Sequence, residues 1–231
     1  MLTAILLALS LPTAAADVAP APDPFTVSSA KLKSTDPMIR RQGADELGQQ
    51  RNPAAEKPLL DLLGDPHPFV RATVVDALGI LRSRAAAPRL AEMLVKDREA
   101  GVRQNAATAL AYIGDASATG ALLEALKDSA APVRYAAVRT LGSLRAAPAA
   151  PALGSLLKDS DVSMRLAAVE ALGRIGAKES LDALQSALTD ADARVRVEAV
   201  RALGDAGDPA AKPALAKALK DADPSARLQA A

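Results

Sequence analysis

The sequence predicts an all-α solenoid of about six stacked helical hairpins with a 31-residue period, and three observations carry that prediction. A motif of Asp, five residues and Arg recurs at Asp65/Arg71, Asp97/Arg103, Asp128/Arg134, Asp159/Arg165, Asp190/Arg196 and Asp221/Arg227, in steps of 32, 31, 31, 31 and 31 residues. Within one period the apolar residues return twice at helical spacing, as in Leu181, Leu184 and Leu188 and then Val195, Ala199, Val200 and Leu203. Ala makes up 55 of the 231 residues, against two Phe, two Tyr and no Trp, so the interior is built from small and aliphatic side chains.

The chain opens with an apolar run from Leu2 to Leu11, then Pro12 and the tripeptide Ala14-Ala15-Ala16, which is the order of a cleavable secretory signal. An uncleaved anchor and an ordinary cap helix are the weaker readings, since about ten apolar residues do not span a hydrocarbon core of about 30 Å. No Lys or Arg precedes the run, so the terminal amine alone supplies positive charge. Residues 1–16 are thus expected to be a signal peptide, Asp17 the mature N-terminus, and the location periplasmic or secreted. Residues 17–35 are expected to form a Pro/Ala-rich linker and N-terminal cap, with Asp17 to Pro24 as a polyproline tether. Residues 36–231 hold the repeats.

Further columns keep the same step. Leu-Gly stands at Leu47-Gly48, Leu78-Gly79, Leu141-Gly142, Leu172-Gly173 and Leu203-Gly204, with Leu110-Ala111 as the departure. Leu59, Leu90, Leu122, Leu153, Leu184 and Leu215 form another column, each with a Leu four residues on, and the single inserted residue falls near Val95-Lys96. Pro53, Pro88, Pro148 and Pro209 sit near the start of the first helix, where a missing N–H costs little. Asp161, Asp192 and Asp223 stand where the second helix needs an N-cap. Gly114, Gly176 and Gly207 follow that helix, as left-handed C-caps do. The Leu-Gly glycine lies within the second helix at a cost of about 1 kcal/mol relative to Ala, and close approach of a neighbouring helix is the expected compensation.

The Leu-x-x-x-Leu helix, the Asp turn and the run Val133-Arg134 to Leu141-Gly142, repeated at Val195-Arg196 to Leu203-Gly204, resemble HEAT repeats of the short, bacterial, phycobilisome-lyase-like kind. The likeness covers about residues 36 to 231. It implies a right-handed solenoid with the Val-Arg helices on the concave side and the Leu-rich helices on the convex side. It also implies that each Asp and the Arg six residues on belong to a hydrogen-bond ladder along the turns. Met164 and Ala226 replace the expected Val, and these are changes of volume only.

The same Asp and Arg residues could be read as catalytic carboxylates and phosphate-binding arginines. An active site is needed once, whereas a turn must be stabilised in each repeat, so the structural reading is preferred. Zero Cys removes thiolate chemistry, and His67 is the single imidazole, set between Pro66 and Pro68 without a nucleophile elbow anywhere in the chain. Some HEAT-repeat proteins are di-iron hydroxylases, which require His-Glu pairs that this sequence lacks. HEAT-like DNA glycosylases use a basic groove with aromatic residues, whereas 28 Lys plus Arg against 27 Asp plus Glu leave this chain near neutral. No phosphate-binding Gly-rich loop occurs.

What remains is a modular surface for binding a macromolecule. By helical phase, three columns of the second helix face outward: Ala72, Gln104, Tyr135, Leu166 and Val197; Ile80, Tyr112, Ser143, Arg174 and Asp205; and Asp45, Asp76, Thr108, Arg139, Glu170 and Arg201. Partner-binding residues are expected at Tyr112, Tyr135, Arg139, Leu166, Glu170, Arg174, Val197 and Arg201. The competing reading is that the Tyr and Leu side chains lean over neighbouring helices and cover aliphatic core. The sequence therefore reads as an exported, non-enzymatic interaction or assembly module. It is expected to bind another protein or peptide as a monomer, with no cofactor, no metal, no nucleic acid and no membrane insertion after signal cleavage. A bilin-lyase-like chromophore-attachment subunit and a purely structural spacer are the alternatives. The chain stops four residues after Arg227, so the last helix is either a stub or part of a longer array.

Overall fold

The computed structural model describes residues 23–230, apart from the side chains of residues 177–179. The predicted signal peptide, residues 1–16, and residues 17–22 of the predicted linker lie outside the described residues. Every regular element described is helical.

The helices form seven consecutive pairs: α1 (Pro24–Lys31) and α2 (Pro37–Gln50), α3 (Glu56–Asp61) and α4 (Pro68–Ile80), α5 (Ala87–Lys96) and α6 (Ala100–Ile113), α7 (Thr119–Ala125) and α8 (Ala131–Ser143), α9 (Ala150–Ser155) and α10 (Val162–Ile175), α11 (Ala177–Ala187) and α12 (Ala193–Ala206), α13 (Lys212–Ala218) and α14 (Pro224–Ala230). This is one pair more than the six expected. The Asp23 carboxylate accepts from the Thr26 N–H at 3.2 Å and Pro24 takes the first helical position, so the end of the expected tether starts a helix instead of an extended segment.

Most first helices are short and open with a single 3-10 turn, as at Pro53–Ala55 and Pro209–Ala211, where Asn52 and Asp208 cap the turn. Second helices run 13 to 14 residues from α2 to α12. Asp161, Asp192 and Asp223 accept from backbone N–H groups two residues on, as expected of caps. Gly114 and Gly207 end their helices at φ 75° and 63°. Gly176 departs from the expected left-handed cap, at φ 115° and ψ 171°, because it ends α10 and begins α11 at once. After α2, α4 and α8 the left-handed place is taken by Arg51, Arg82 and Arg145, at φ 51°, 53° and 49°.

The core is one continuous cluster of Leu, Val and Ala running between the helix layers. Leu59, Leu90, Leu122, Leu153 and Leu184 are fully buried. The second helices pack on one another far more closely than the first helices do, so they form the inner, concave layer. The reason is visible at the helix-interior glycines. A methyl group on Gly48, Gly79, Gly142 or Gly173 would come within 2.8 to 2.9 Å of Ala77, Ala109, Ala171 or Ala202 on the next second helix. No Cβ fits there, and the dispersion attraction between the closely packed backbones offsets the helix propensity that glycine gives up.

Candidate functional site

The concave face is held in register by the Asp/Arg ladder, whose wiring differs from the expected one. Each Arg does reach the Asp six residues back, but through that residue's backbone carbonyl, as in Arg165 to Asp159 at 2.8 Å and Arg196 to Asp190 at 2.8 Å. The carboxylates belong to the neighbouring repeat. Arg71 binds Asp97, Arg103 binds Asp128, Arg165 binds Asp190 and Arg196 binds Asp221, each by two N–H···O bonds of 2.6 to 3.0 Å. Arg40, which has Ser34 rather than Asp six residues before it, clamps Asp65 in the same way and was missed for that reason. Arg227 bonds only carbonyls. Such two-pronged pairs, largely removed from water, are the strong kind. In Asp65, Asp97 and Asp190 burial is the largest single influence and opposes ionisation, yet the guanidinium and a backbone N–H together hold the carboxyl below its ordinary value. In Asp128 and Asp221 the guanidinium hydrogen bond is itself the largest influence, with the same result.

The ladder is interrupted once. Arg134 keeps its bonds to the Asp128 and Ser129 carbonyls but makes no ion pair with Asp159. At this junction the Tyr135 hydroxyl donates to Asp161, the cap of α10, so a phenol ties the two repeats where a guanidinium ties the others.

One junction away the helix packing is also irregular. Where the other close approaches set a Gly against an Ala, α6 and α8 carry Ala111 and Thr140. Thr140 is buried and its hydroxyl donates to the Ala107 carbonyl at 2.9 Å. The bulkier pair lies at the floor of a cleft of about 360 Å³ whose walls include Gln104, Thr108, Tyr112, Tyr135, Arg139 and Ser143. Three predicted residues, Tyr112, Tyr135 and Arg139, thus meet in one place. Tyr112 is 58% exposed, while Tyr135 is half-buried and leans on the core, so the covering role and the cleft-lining role coincide in that residue. Burial first, then the bond to Asp161, pushes the Tyr135 hydroxyl pKa up.

Glu170, Arg174 and Arg201 line a second hollow of about 500 Å³ between α10 and α12, joined by Arg145 and Asp205. Arg201 is held there by Glu198 and Asp205. Leu166 and Val197 line neither hollow; both are half-buried, and Leu166 packs on the core. Towards the N-terminal end of the face the Asp76 carboxylate accepts from Asn105 at 2.8 Å, and burial together with the charge of Asp45 raises its pKa to about 6. Thr140 and Arg145 were not singled out from the sequence. The Ala111 departure was the available signal, but its partner across the junction is visible only in the structure.

Among the described residues no group of three or more His, Cys, Asp or Glu side chains is arranged to hold a metal ion. No described helix is long and apolar enough to cross a membrane. The sequence matches the family of HEAT repeats over residues 28–111, 89–164 and 150–231. This chain is a HEAT-repeat protein. As HEAT-repeat structures go, it is similar to the complex of CpcE and CpcF of phycocyanin lyase from Nostoc sp. PCC7120, with 27% identity, a TM-score of 0.61 and coverage of 96% of this chain and 90% of that one. It is also similar in fold to an engineered protein, with 22% identity, a TM-score of 0.62 and coverage of 89% and 66%. A computationally designed armadillo repeat protein for modular peptide recognition shares the fold too, with 23% identity, a TM-score of 0.59 and coverage of 78% and 99%. No curated protein matches.

Proposed function

We propose that this HEAT-repeat protein is an exported, non-catalytic interaction module that grips another protein or peptide on its concave face. The observation that carries the reading is the cleft over Ala111 and Thr140. The junction at which the close Gly/Ala contact gives way to Ala111 and Thr140 is where both tyrosines of the chain and Arg139 converge. Tyr and Arg are the residue types that dominate binding energy at interfaces. The test pairs two kinds of variant. Tyr112→Ala with Arg139→Ala, both at exposed positions, should weaken binding of a captured partner by about 2 kcal/mol or more, with melting temperature little changed. Glu124→Lys and Asp182→Lys on the first helices should leave binding intact. The opposite pattern assigns the wrong face.

A second reading is supported by the likeness to the phycocyanin lyase complex over nearly the whole chain: a subunit that helps attach a bilin to a partner protein. Covalent bilin absorbance on a phycobiliprotein, appearing only when this chain is supplied, would decide for it.

A further inference from the structure

The charge arrangement of the concave face specifies the partner more narrowly, an inference that rests on the concave-face reading. Arg139 is the single ionised side chain lining the cleft. On this face Arg201 is neutralised by Glu198 and Asp205, and at the turns Arg165 by Asp190, whereas Arg139, like Arg174 in the second hollow, makes no ion pair or side-chain hydrogen bond among the described residues. A guanidinium offers five N–H donors and no acceptor. The hydroxyls of Thr140 and Tyr135 are already engaged with Ala107 and Asp161, so the ionic demand of the cleft is for an acceptor, and a carboxylate meets it with two parallel bonds.

The neighbours on the same column restrict what carries that carboxylate. Arg139 stands between Thr108 and Glu170, with Asp76 and Asp45 beyond Thr108. A long polyanion laid along the face would meet two aspartates on one side, and on the other Glu170, which shares its hollow with Arg145 and Arg174. Packed helices lie about 8 to 10 Å apart, and an extended chain advances about 3.3 Å per residue, so one repeat corresponds to about three residues of an extended ligand. We propose that the cleft binds an extended peptide segment of a partner protein bearing an isolated Asp or Glu opposite Arg139. A Lys or Arg about three residues to one side meets Glu170, and another about six residues to the other side meets Asp76. The residue next to the central acid is apolar and packs on Tyr112 and Tyr135.

The experiment is selection of a random twelve-residue peptide library on the full chain, with sequencing of the enriched pool. The expected result is a central acidic residue with basic residues at about three and six positions on opposite sides. Selection on Arg139→Glu, a change at an exposed position, should replace the central acid by Lys or Arg. In titration of the best synthetic peptide by fluorescence anisotropy, Arg139→Glu should weaken binding at least tenfold, and the peptide with its central acid changed to Lys should recover much of that loss. Enrichment that depends on Tyr112 but carries no central acid overturns this inference and keeps the concave-face reading. Failure of the native chain to enrich any sequence beyond the Tyr112→Ala/Arg139→Ala variant overturns both. Binding of a twenty-nucleotide poly-dT strand as tightly as the best peptide also overturns the inference, in favour of a nucleic-acid ligand.

Discussion

Arg165 grips the carboxylate of Asp190, twenty-five residues ahead, and only the backbone carbonyl of Asp159, six residues behind. Arg165→Ala therefore strands the Asp190 carboxylate, which keeps 9% of its side-chain exposure. Leaving such a group without its charged donor costs about 1 to 3 kcal/mol. Arg134→Ala should cost clearly less, since Arg134 clamps no carboxylate, and Arg227→Ala less again at the last turn. Urea midpoints of the three variants measure the order; equal shifts would contradict a ladder wired between repeats.

The dependence of stability on pH has two opposing parts. The ladder carboxylates have folded pKa values below the unfolded value of 3.8, so their contribution is present above about pH 4 and is lost as pH falls through the folded values. Asp76 works the other way. Its pKa is raised to about 6, so the folded state is favoured most below 3.8 and loses that advantage as pH rises through 6. Acidification from neutral pH should first stabilise the protein slightly and then unfold it. Asp76→Asn should abolish the first step, by less than about 1 kcal/mol because the carboxylate keeps contact with water. Urea titrations between about pH 3 and pH 8 read both slopes.

Two glycines at equivalent positions should respond with opposite sign to the same substitution. A Cβ on Gly142 would come within 2.8 Å of the Ala171 backbone, whereas Gly204 has nothing within 4 Å. Gly142→Ala should destabilise by about 1 to 3 kcal/mol through overpacking. Gly204→Ala should stabilise by about 0.5 to 1 kcal/mol through helix propensity alone. Thermal melts of the two single variants suffice.

Arg145 holds φ at 49°, a region that costs a side chain with a Cβ about 1 kcal/mol. Arg145→Gly should raise stability by up to that amount, and differential scanning calorimetry checks it. No gain would mean that the arginine side chain compensates the strain.

For export, Leu2 to Ala16 motivates one expectation. Expression from its own start codon in a bacterial host should give a periplasmic product whose intact mass begins at Asp17. A mass retaining Met1 would refute it.

Much of this architecture could be read from spacing alone. The 31-residue step, the two helices per period, the capping aspartates and the close approach at the Leu-Gly glycines all follow from local chemistry that repeats. The ladder wiring did not, because spacing along a chain cannot separate a carbonyl six residues back from a carboxylate twenty-five ahead. Arg40 escaped because its own turn begins with Ser34. Arg51, Arg82 and Arg145 escaped because arginine carries no signal for a left-handed backbone. For the cleft, Tyr112, Tyr135 and Arg139 were placed on the right face by helical phase, but Thr140 acquires meaning only when Ala111 is set across from it. Leu166 and Val197 shared that phase and still line no hollow, since phase gives direction and not the local gap between helices.

The departure of Ala111 from glycine has an evolutionary consequence. Excising residues 111–141, one whole period, would join Leu110 to Gly142 and restore the regular dipeptide. It would place Arg103 twenty-five residues before Asp159, the spacing of its present clamp on Asp128. The same cut removes Tyr112, Arg134, Tyr135, Arg139 and Thr140 together. Most of what sets the cleft apart is thus carried by a single cassette flanked by in-phase junctions, so one unequal recombination event suffices to give or take away the cleft while the remaining array stays in register.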